Sequence, residues 1–251
     1  MNPANRIIAF NIIHMTLGLV GLFYLSWWVL PIWFLVAIGN GTVGHRYFGH
    51  NNFAVSRVTH WVMCFWCTLA AYAPPLYWMV QHRHHHRHTD QAQDAHSPVN
   101  GFFMSLMAWS FVPSRVAMCY SDRACVVSQI KGLRDSAIKF TNDYFIAINI
   151  VFLAVLYLID STLMWAACVA YMLDHLRLGL INSVGHMPSL PGNYRNYDTN
   201  DQSQNNIFLG LITLGGLWHN NHHAKASDLI QTHKWWEVDI EGWVGNLLRR
   251  L

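Results

Sequence analysis

The segment HRHHHRH, residues 82–88, carries five imidazoles in seven positions. His82, His85 and His86 stand at i, i+3 and i+4, which places them on one face of a helix. HNNHH, residues 219–223, repeats that spacing with His219, His222 and His223. Asn182 and His186 are four apart and again share a face. His45 and His50 are five apart, which is no clean α-helical face, so this pair is expected to straddle a helix end or face a crowded interior. One metal ion takes about four to six ligands, so these nine histidines and one asparagine overfill one ion and suit two. Imidazole suits zinc, copper, iron and nickel. It binds metal as the neutral ring, so occupancy falls as pH drops below the ordinary histidine range near about 6.5.

A histidine run by itself can be a solvated metal-scavenging tract. Four clusters at helix-face spacing argue against that. His14 and His233 read as ordinary core and surface residues. His84 and His88 could replace a member of the triplet or support it. Glu237 and Glu241 are the only glutamates, and neither forms the Glu-x-x-His pair of carboxylate-bridged di-iron bundles. There is no H-E-x-x-H and hence no general base of the zinc-protease type. An all-nitrogen dinuclear site beside a membrane suits oxygen chemistry on an apolar substrate, because two irons can reduce O2 and the resulting oxidant can take hydrogen from an unactivated C–H bond.

What positions these residues follows from hydropathy. The 251 residues are 53% hydrophobic and 12% charged, against roughly 25% charged in soluble domains. A bilayer span needs about 20 mostly apolar residues. Four stretches come close, at 7–25, 27–44, 143–158 and 163–181, and tight reversals pair them as two hairpins. All sixteen Lys and Arg fall outside the hairpin turns, on the side of both termini, which the positive-inside rule makes cytoplasmic. The expected fold is an all-α membrane protein, 1–251 as a single domain, with four transmembrane helices and a cytosolic helical cap from 45–141 and 182–251. The apolar stretch 58–75 reads as an interfacial or re-entrant helix. All four histidine clusters reach the same membrane face. Five cysteines show no disulfide framework, and the C-x-x-C at Cys64 and Cys67 lies in an apolar run that suits buried thiols. The N-terminal apolar stretch lacks a small-residue cleavage site and reads as a span. The formal charge of +3 gives no case for nucleic acid.

The strings GHRYFGH, HRHHHRHTDQAQDAHSP, LINSVGH, YRNYDTNDQSQNN and WHNNHHA resemble the membrane fatty acyl desaturases of the Δ9 type, over about 45–245. The resemblance implies two irons held by His45, His50, His82, His85, His86, His186, His219, His222 and His223, with Asn182 acting through a water. It implies an acyl substrate carried by coenzyme A, a lipid or an acyl carrier protein. It also implies electrons from a separate ferredoxin or cytochrome b5. No acid or base beyond the metal centre is assigned. The chain departs from the family at the Gly-Glu-Gly-Trp before the last box: Gly215, Gly216, Leu217 and Trp218 stand there, without the glutamate. Asp94 and His96 match the family's Asp-x-His and are expected to support the ligands, as is His175, seven residues before Asn182.

Stepping back along span two from His45 by fours gives Gly41, Ala37 and Trp33. Two small residues and a large one on one face would form an acyl groove with Trp33 as its floor; close helix packing explains Gly41 and Ala37 equally well. Hydroxylation or triple-bond formation on an acyl chain would share the same first hydrogen abstraction. A four-span metal-binding or transport protein without redox chemistry would want polar residues lining its spans, and spans one to three have almost none.

Overall fold

The computed structural model describes residues 3–251, and these are mostly helical. Helix α1 (Pro3–Gly21) ends in a 3-10 turn, Leu22–Tyr24, and the chain reverses into α2 (Val29–Ile38). From Gly39 to Gly49 the same helix is wound as a π-helix. This winding is rare and marks functional sites. Its hydrogen bonds run from i to i+5, and the His50 amide donates to the His45 carbonyl at 3.1 Å. The spacing that is awkward for an α-helix therefore stacks His45 and His50 on one face, with ring centroids 5.1 Å apart.

Helix α3 (Arg57–Leu69) starts at Ser56, whose side chain caps the amide of Thr59. It occupies the place expected for an interfacial or re-entrant helix. Helix α4 (Pro75–His88) begins with Pro75, whose missing N–H costs nothing in a first turn. Short elements follow: α5 (Phe102–Leu106), α6 (Pro113–Ser121), α7 (Arg123–Arg134) and α8 (Ser136–Asp143). Asp122 and Asp135 cap α7 and α8. The second hairpin is α9 (Phe145–Ile159) and α10 (Ser161–Val184), with Asp160 capping α10. Strands β1 (Asn193–Tyr194) and β2 (Asn205–Asn206) pair antiparallel. Helices α11 (His219–Ala224) and α12 (Ile240–Leu248) complete the chain.

Helix α10 is the central post, packed by α1, α2, α5 and α9. α1 and α10 cross so closely at Gly18 that a Cβ there would lie 2.6 Å from the Cβ of Met172. Among the described residues, two helices are long and apolar enough to cross a membrane: Pro3–Tyr24, with mean hydropathy 1.9, and Ser161–Val184, with 1.2. α8 and α9 pass that test only as a pair, bent by 70°. Helices stand at all four expected places, but the hairpin partners are the weaker ones. α9 has 15 residues, about 22 Å of helix, and α2 becomes π-wound and polar after its tenth residue. Large apolar side chains nonetheless cover the outside of both hairpins, including Phe23 at 88% exposed and Leu158 at 81%. A surface of that kind is meant to be covered.

Candidate metal centre

Four elements converge on one polar core. The π-helix brings His45 and His50, α4 brings His82, His85 and His86, the end of α10 leads to His186, and α11 brings His219, His222 and His223. They fall into two groups. In one, the ligand-capable atoms of His45, His50, His82 and His222 all lie within 4.8 Å of one another; in the other, those of His85, His186, His219 and His223 do. His86 stands between them, grouped with His222 and His223. The Nε2 atoms face inward. His50 and His82 approach to 2.6 Å, His45 and His222 to 3.2 Å, and His86 comes within 3.0 Å of His82 and 2.9 Å of His222. In the second group His186 and His219 are 2.9 Å apart, His219 and His223 3.1 Å, and His85 and His223 3.4 Å.

The outward nitrogens decide what the inward ones can do. His85 Nδ1–H donates to Asp94 Oδ2 at 2.8 Å, and His223 Nδ1–H donates to Asp201 Oδ2 at 2.8 Å. A carboxylate only accepts, so in the neutral rings the protons sit on Nδ1 and both Nε2 atoms present lone pairs to each other. A cation between them resolves that repulsion. Carboxylate–histidine–metal arrays are built this way. His186 Nδ1 lies 3.2 Å from Asp90 Oδ1, and the Gln231 amide lies 2.8 Å from His222 Nδ1. Burial, followed by the charge of neighbouring imidazoles, pushes His82, His86, His219, His222 and His223 well below the ordinary histidine value. Burial and Arg83 push His50 down to about 3. His85 goes the other way: burial lowers it, but Asp94 more than compensates. Those six lowered rings are therefore held neutral, as metal ligands must be, and the nine imidazoles together offer donors enough for two metal ions.

A cavity of about 40 Å³ adjoins the cluster, its wall including His45, His82, Asn182, His219, Tyr72 and Glu241. Asn182 thus faces the same space as the imidazoles. His96 also lines the cavity, 4.5 Å from the His85 ring, with its Nδ1 3.4 Å from Asp94 Oδ1. Expected beneath the ligands, His175 instead meets Ser110 Oγ at 3.1 Å and packs by His14, Tyr72 and Phe111. Seven residues place it on the face of Asn182 but two turns deeper, so it meets the α1 side of the bundle. Gly41 reaches the cavity, and a Cβ on it would lie 1.9 Å from Glu241 Oε1. Ala37 is fully buried against Leu214, and its carbonyl accepts from Arg177 at 3.2 Å. Trp33 is partly buried beside both. The row 33–37–41 is therefore closed by packing. The roomier apolar hollow, about 440 Å³, lies on the neighbouring face of α2, with Trp28, Ile32, Val36, Trp66 and Leu156 in its wall.

Beside the imidazoles runs a second buried polar network. Arg46 grips Asp239 with two hydrogen bonds, at 2.8 and 2.7 Å, and reaches Gln231 at 3.3 Å. Glu241 accepts from Arg177 at 2.8 Å and lies 3.6 Å from Arg46. Arg177 also pairs with Asp174 at 2.5 Å, and Asp174 accepts from Asn40 at 2.7 Å. Burial raises Glu241, with Arg177 and Arg46 opposing. Where the motif before the last box lacks its glutamate, a carboxylate from α12 enters the cavity wall.

Reading the sequence did not single out Asp90, Asp201, Gln231, Arg46, Asp239 or Glu241. Asp90 and Asp201 lie inside quoted strings, HRHHHRHTD and YRNYDTND, where a carboxylate among metal ligands was the available signal. Nothing local marks Gln231. In HNNHH the two asparagines turn away from the centre. Asn220 Oδ1 accepts from the amides of Asn196 and Tyr197 at 2.9 Å each, and Asn221 Nδ2 donates to Glu237 at 2.9 Å. They clamp the 193–206 loop, and with it Asp201, onto α11.

The fatty acid desaturase family model matches residues 25–239. The chain is 30% identical to Delta-9 acyl-lipid desaturase 2 of Arabidopsis thaliana over 91% of its own length and 74% of that protein's. It is 26% identical to the sn-2 palmitoyl-lipid 9-desaturase of Nostoc sp., over 98% of this chain and 87% of the relative. Against the icosanoyl-CoA 5-desaturase of Limnanthes douglasii the identity is 27% over 91% of this chain, which spans 65% of that protein. The Limnanthes relative is thus longer than this chain by more than a third of its length.

Proposed function

The chain belongs to the fatty acid desaturase family, and from that premise we propose that it is a membrane di-iron enzyme that uses O2 to introduce a double bond into an acyl chain. One observation carries the reading: nine inward-facing imidazoles in two linked groups, with the protons of His85 and His223 drawn outward by Asp94 and Asp201. We assign one iron to His45, His50, His82 and His222, the other to His85, His186, His219 and His223, and His86 to the space between. Bound there, two irons supply the reduction of O2 and the oxidising power to break an unactivated C–H bond. Electrons from the donor and from the acyl chain together reduce O2 to water.

The protein's own residues do the rest. Asp94 and Asp201 orient the rings of His85 and His223 by hydrogen bonds, and Asp90 sets its carboxylate beside His186. Asn182 offers its amide to a water in the cavity. Tyr72, Trp78 and Leu178 make the remaining wall largely apolar and keep bulk water out. A cavity of about 40 Å³ admits only a short run of methylenes, so binding a whole acyl chain requires the wall at Glu241 and Leu214 to part. We place the chain along Gly41 and Ala37 with its end at Trp33. The relatives are named for acyl-lipid and acyl-CoA substrates, and we propose an acyl group on a lipid, coenzyme A or carrier protein, with a separate ferredoxin or cytochrome b5 as donor. We further propose four spans with the metal centre and both termini on the cytoplasmic side; helices stand at the four places, two of them long and apolar enough to cross alone, and the charge distribution favours that orientation.

The test is fatty acid profiling of a host expressing the chain, beside His222→Ala. New unsaturated acyl chains that vanish in the variant are expected, and they locate the double bond. Hydroxylated or acetylenic products, or an unchanged profile from an iron-loaded protein, overturn the reading.

A further inference from the structure

His84 and His88 belong to neither imidazole group. They sit four residues apart on the opposite face of α4, rings 4.6 Å apart, and meet Asp122 at the α6–α7 junction. The ligand-capable atoms of His84, His88 and Asp122 all lie within 4.8 Å of one another.

His84 carries the argument. Its Nε2–H donates to the Gln93 carbonyl at 2.9 Å. A carbonyl cannot donate, so the neutral ring presents a bare lone pair at Nδ1. That atom is buried without a hydrogen-bond partner, and the side chain is only 6% exposed. It looks at Asp122 Oδ2 from 3.7 Å, acceptor against acceptor. Asp122 is 10% exposed and holds His88 Nε2 at 3.0 Å on the same oxygen. Its other oxygen is spent on the Ala124 and Cys125 amides, at 2.8 and 3.3 Å. Two ligands at about 2.1 Å from one tetrahedral ion lie roughly 3.4 Å apart, between these two separations. A hollow of about 200 Å³, walled by these three residues with Gln93, Met118 and Ser121, leaves room for a water as fourth ligand. Arg87 Nε lies 3.5 Å from the same Asp122 oxygen, but its side chain is 56% exposed and free to swing out.

We propose that His84 Nδ1, His88 Nε2 and Asp122 Oδ2 form a third metal site, separate from the buried centre, which takes a single divalent ion of the zinc class. Two nitrogens and one carboxylate oxygen, with no sulfur, suit that class. The ion ties the C-terminal turn of α4, which carries His85 and His86, to the start of α7. It is a structural clip, and it stands whether or not the buried centre performs desaturation.

The test uses the full chain purified as expressed, titrated with Co2+ and read by the visible bands of tetrahedral cobalt, with iron content followed in parallel. Wild type is expected to take up one equivalent with no loss of iron. His88→Gln, at a partly buried ring, and Asp122→Asn, which keeps the helix-capping oxygen, are each expected to weaken that uptake by about a hundredfold or more. Zinc is expected to raise the thermal midpoint of wild type and not of His88→Gln. Cobalt uptake that displaces iron one for one, no uptake, or equal uptake by His88→Gln overturns the proposal.

Discussion

His45 and Arg46 are neighbours on one π-helix, yet they enter two buried polar regions of opposite kind. Around Arg46 each charge is answered: Asp239 by two hydrogen bonds, Glu241 by Arg177, Asp174 by Arg177 and Asn40. Every charge of that network is paired within the protein. Around His45 the Nε2 atoms crowd to between 2.6 and 3.4 Å, with carboxylates outside and no anion inside. That region sets imidazole nitrogens against one another, an arrangement that cations would complete. Burial of polar groups is costly unless they are paired. One region meets the cost with its own side chains, while the other holds its partners' places open. The first should govern folding and the second activity.

The largest effect is expected in the open region. His86→Ala removes the ring between the two groups, and turnover should fall by more than about a hundredfold with iron content, while the thermal midpoint of the metal-free protein stays near wild type. If His86→Ala unfolds the metal-free protein, the distinction fails. Asp239→Asn is the converse. It leaves Arg46 buried beside a neutral amide, and breaking such a pair costs about 3–5 kcal/mol, read as a lower unfolding midpoint in detergent. A variant of wild-type stability would show that the network is dispensable.

Asp94→Asn sharpens the boundary between the regions. It keeps the shape but drops the charge that orders His85, so metal affinity should fall about 10–100-fold with stability little changed. Metal removal adds a pH signature. In the chelated protein the folded pKa values of His86, His219, His222 and His223 lie below the unfolded value, through burial and mutual repulsion. The unfolded chain takes up protons on these four first, so their contribution makes stability fall as pH drops below about 6.5, while His85, raised by Asp94, runs the other way and loses its contribution as pH rises above that range. A melting temperature of chelated protein that is constant down to about pH 5 would contradict that environment. The smallest effect concerns Trp33→Ala, which should lengthen the preferred acyl chain at similar total turnover. An unchanged product length would send the search to the hollow at Ile32 and Val36.

The sequence foretold the centre unevenly. The triplets 82–85–86 and 219–222–223 were legible because α-helical periodicity is local. The pair His45–His50 was legible as donors but not as one face, because five-residue spacing becomes one face only in a π-helix, and no local pattern signals that winding. His84 and His88 were visible as histidines, but only the position of Asp122, thirty-odd residues on, shows which way they turn. His175 was placed under the ligands by counting residues, yet the depth of a residue along a helix depends on what packs beside it.

By itself, then, the sequence determined the number and type of donor atoms, their grouping on helix faces, and the apolar segments that carry them, since these are properties of composition and short-range period. Only the tertiary structure decided which carboxylate holds which imidazole, that Glu241 enters the cavity wall from α12, and that the 33–37–41 face is packed shut. Those are contacts between segments far apart in the chain, chosen by how buried charges find partners once the helices meet, and no local spacing encodes them.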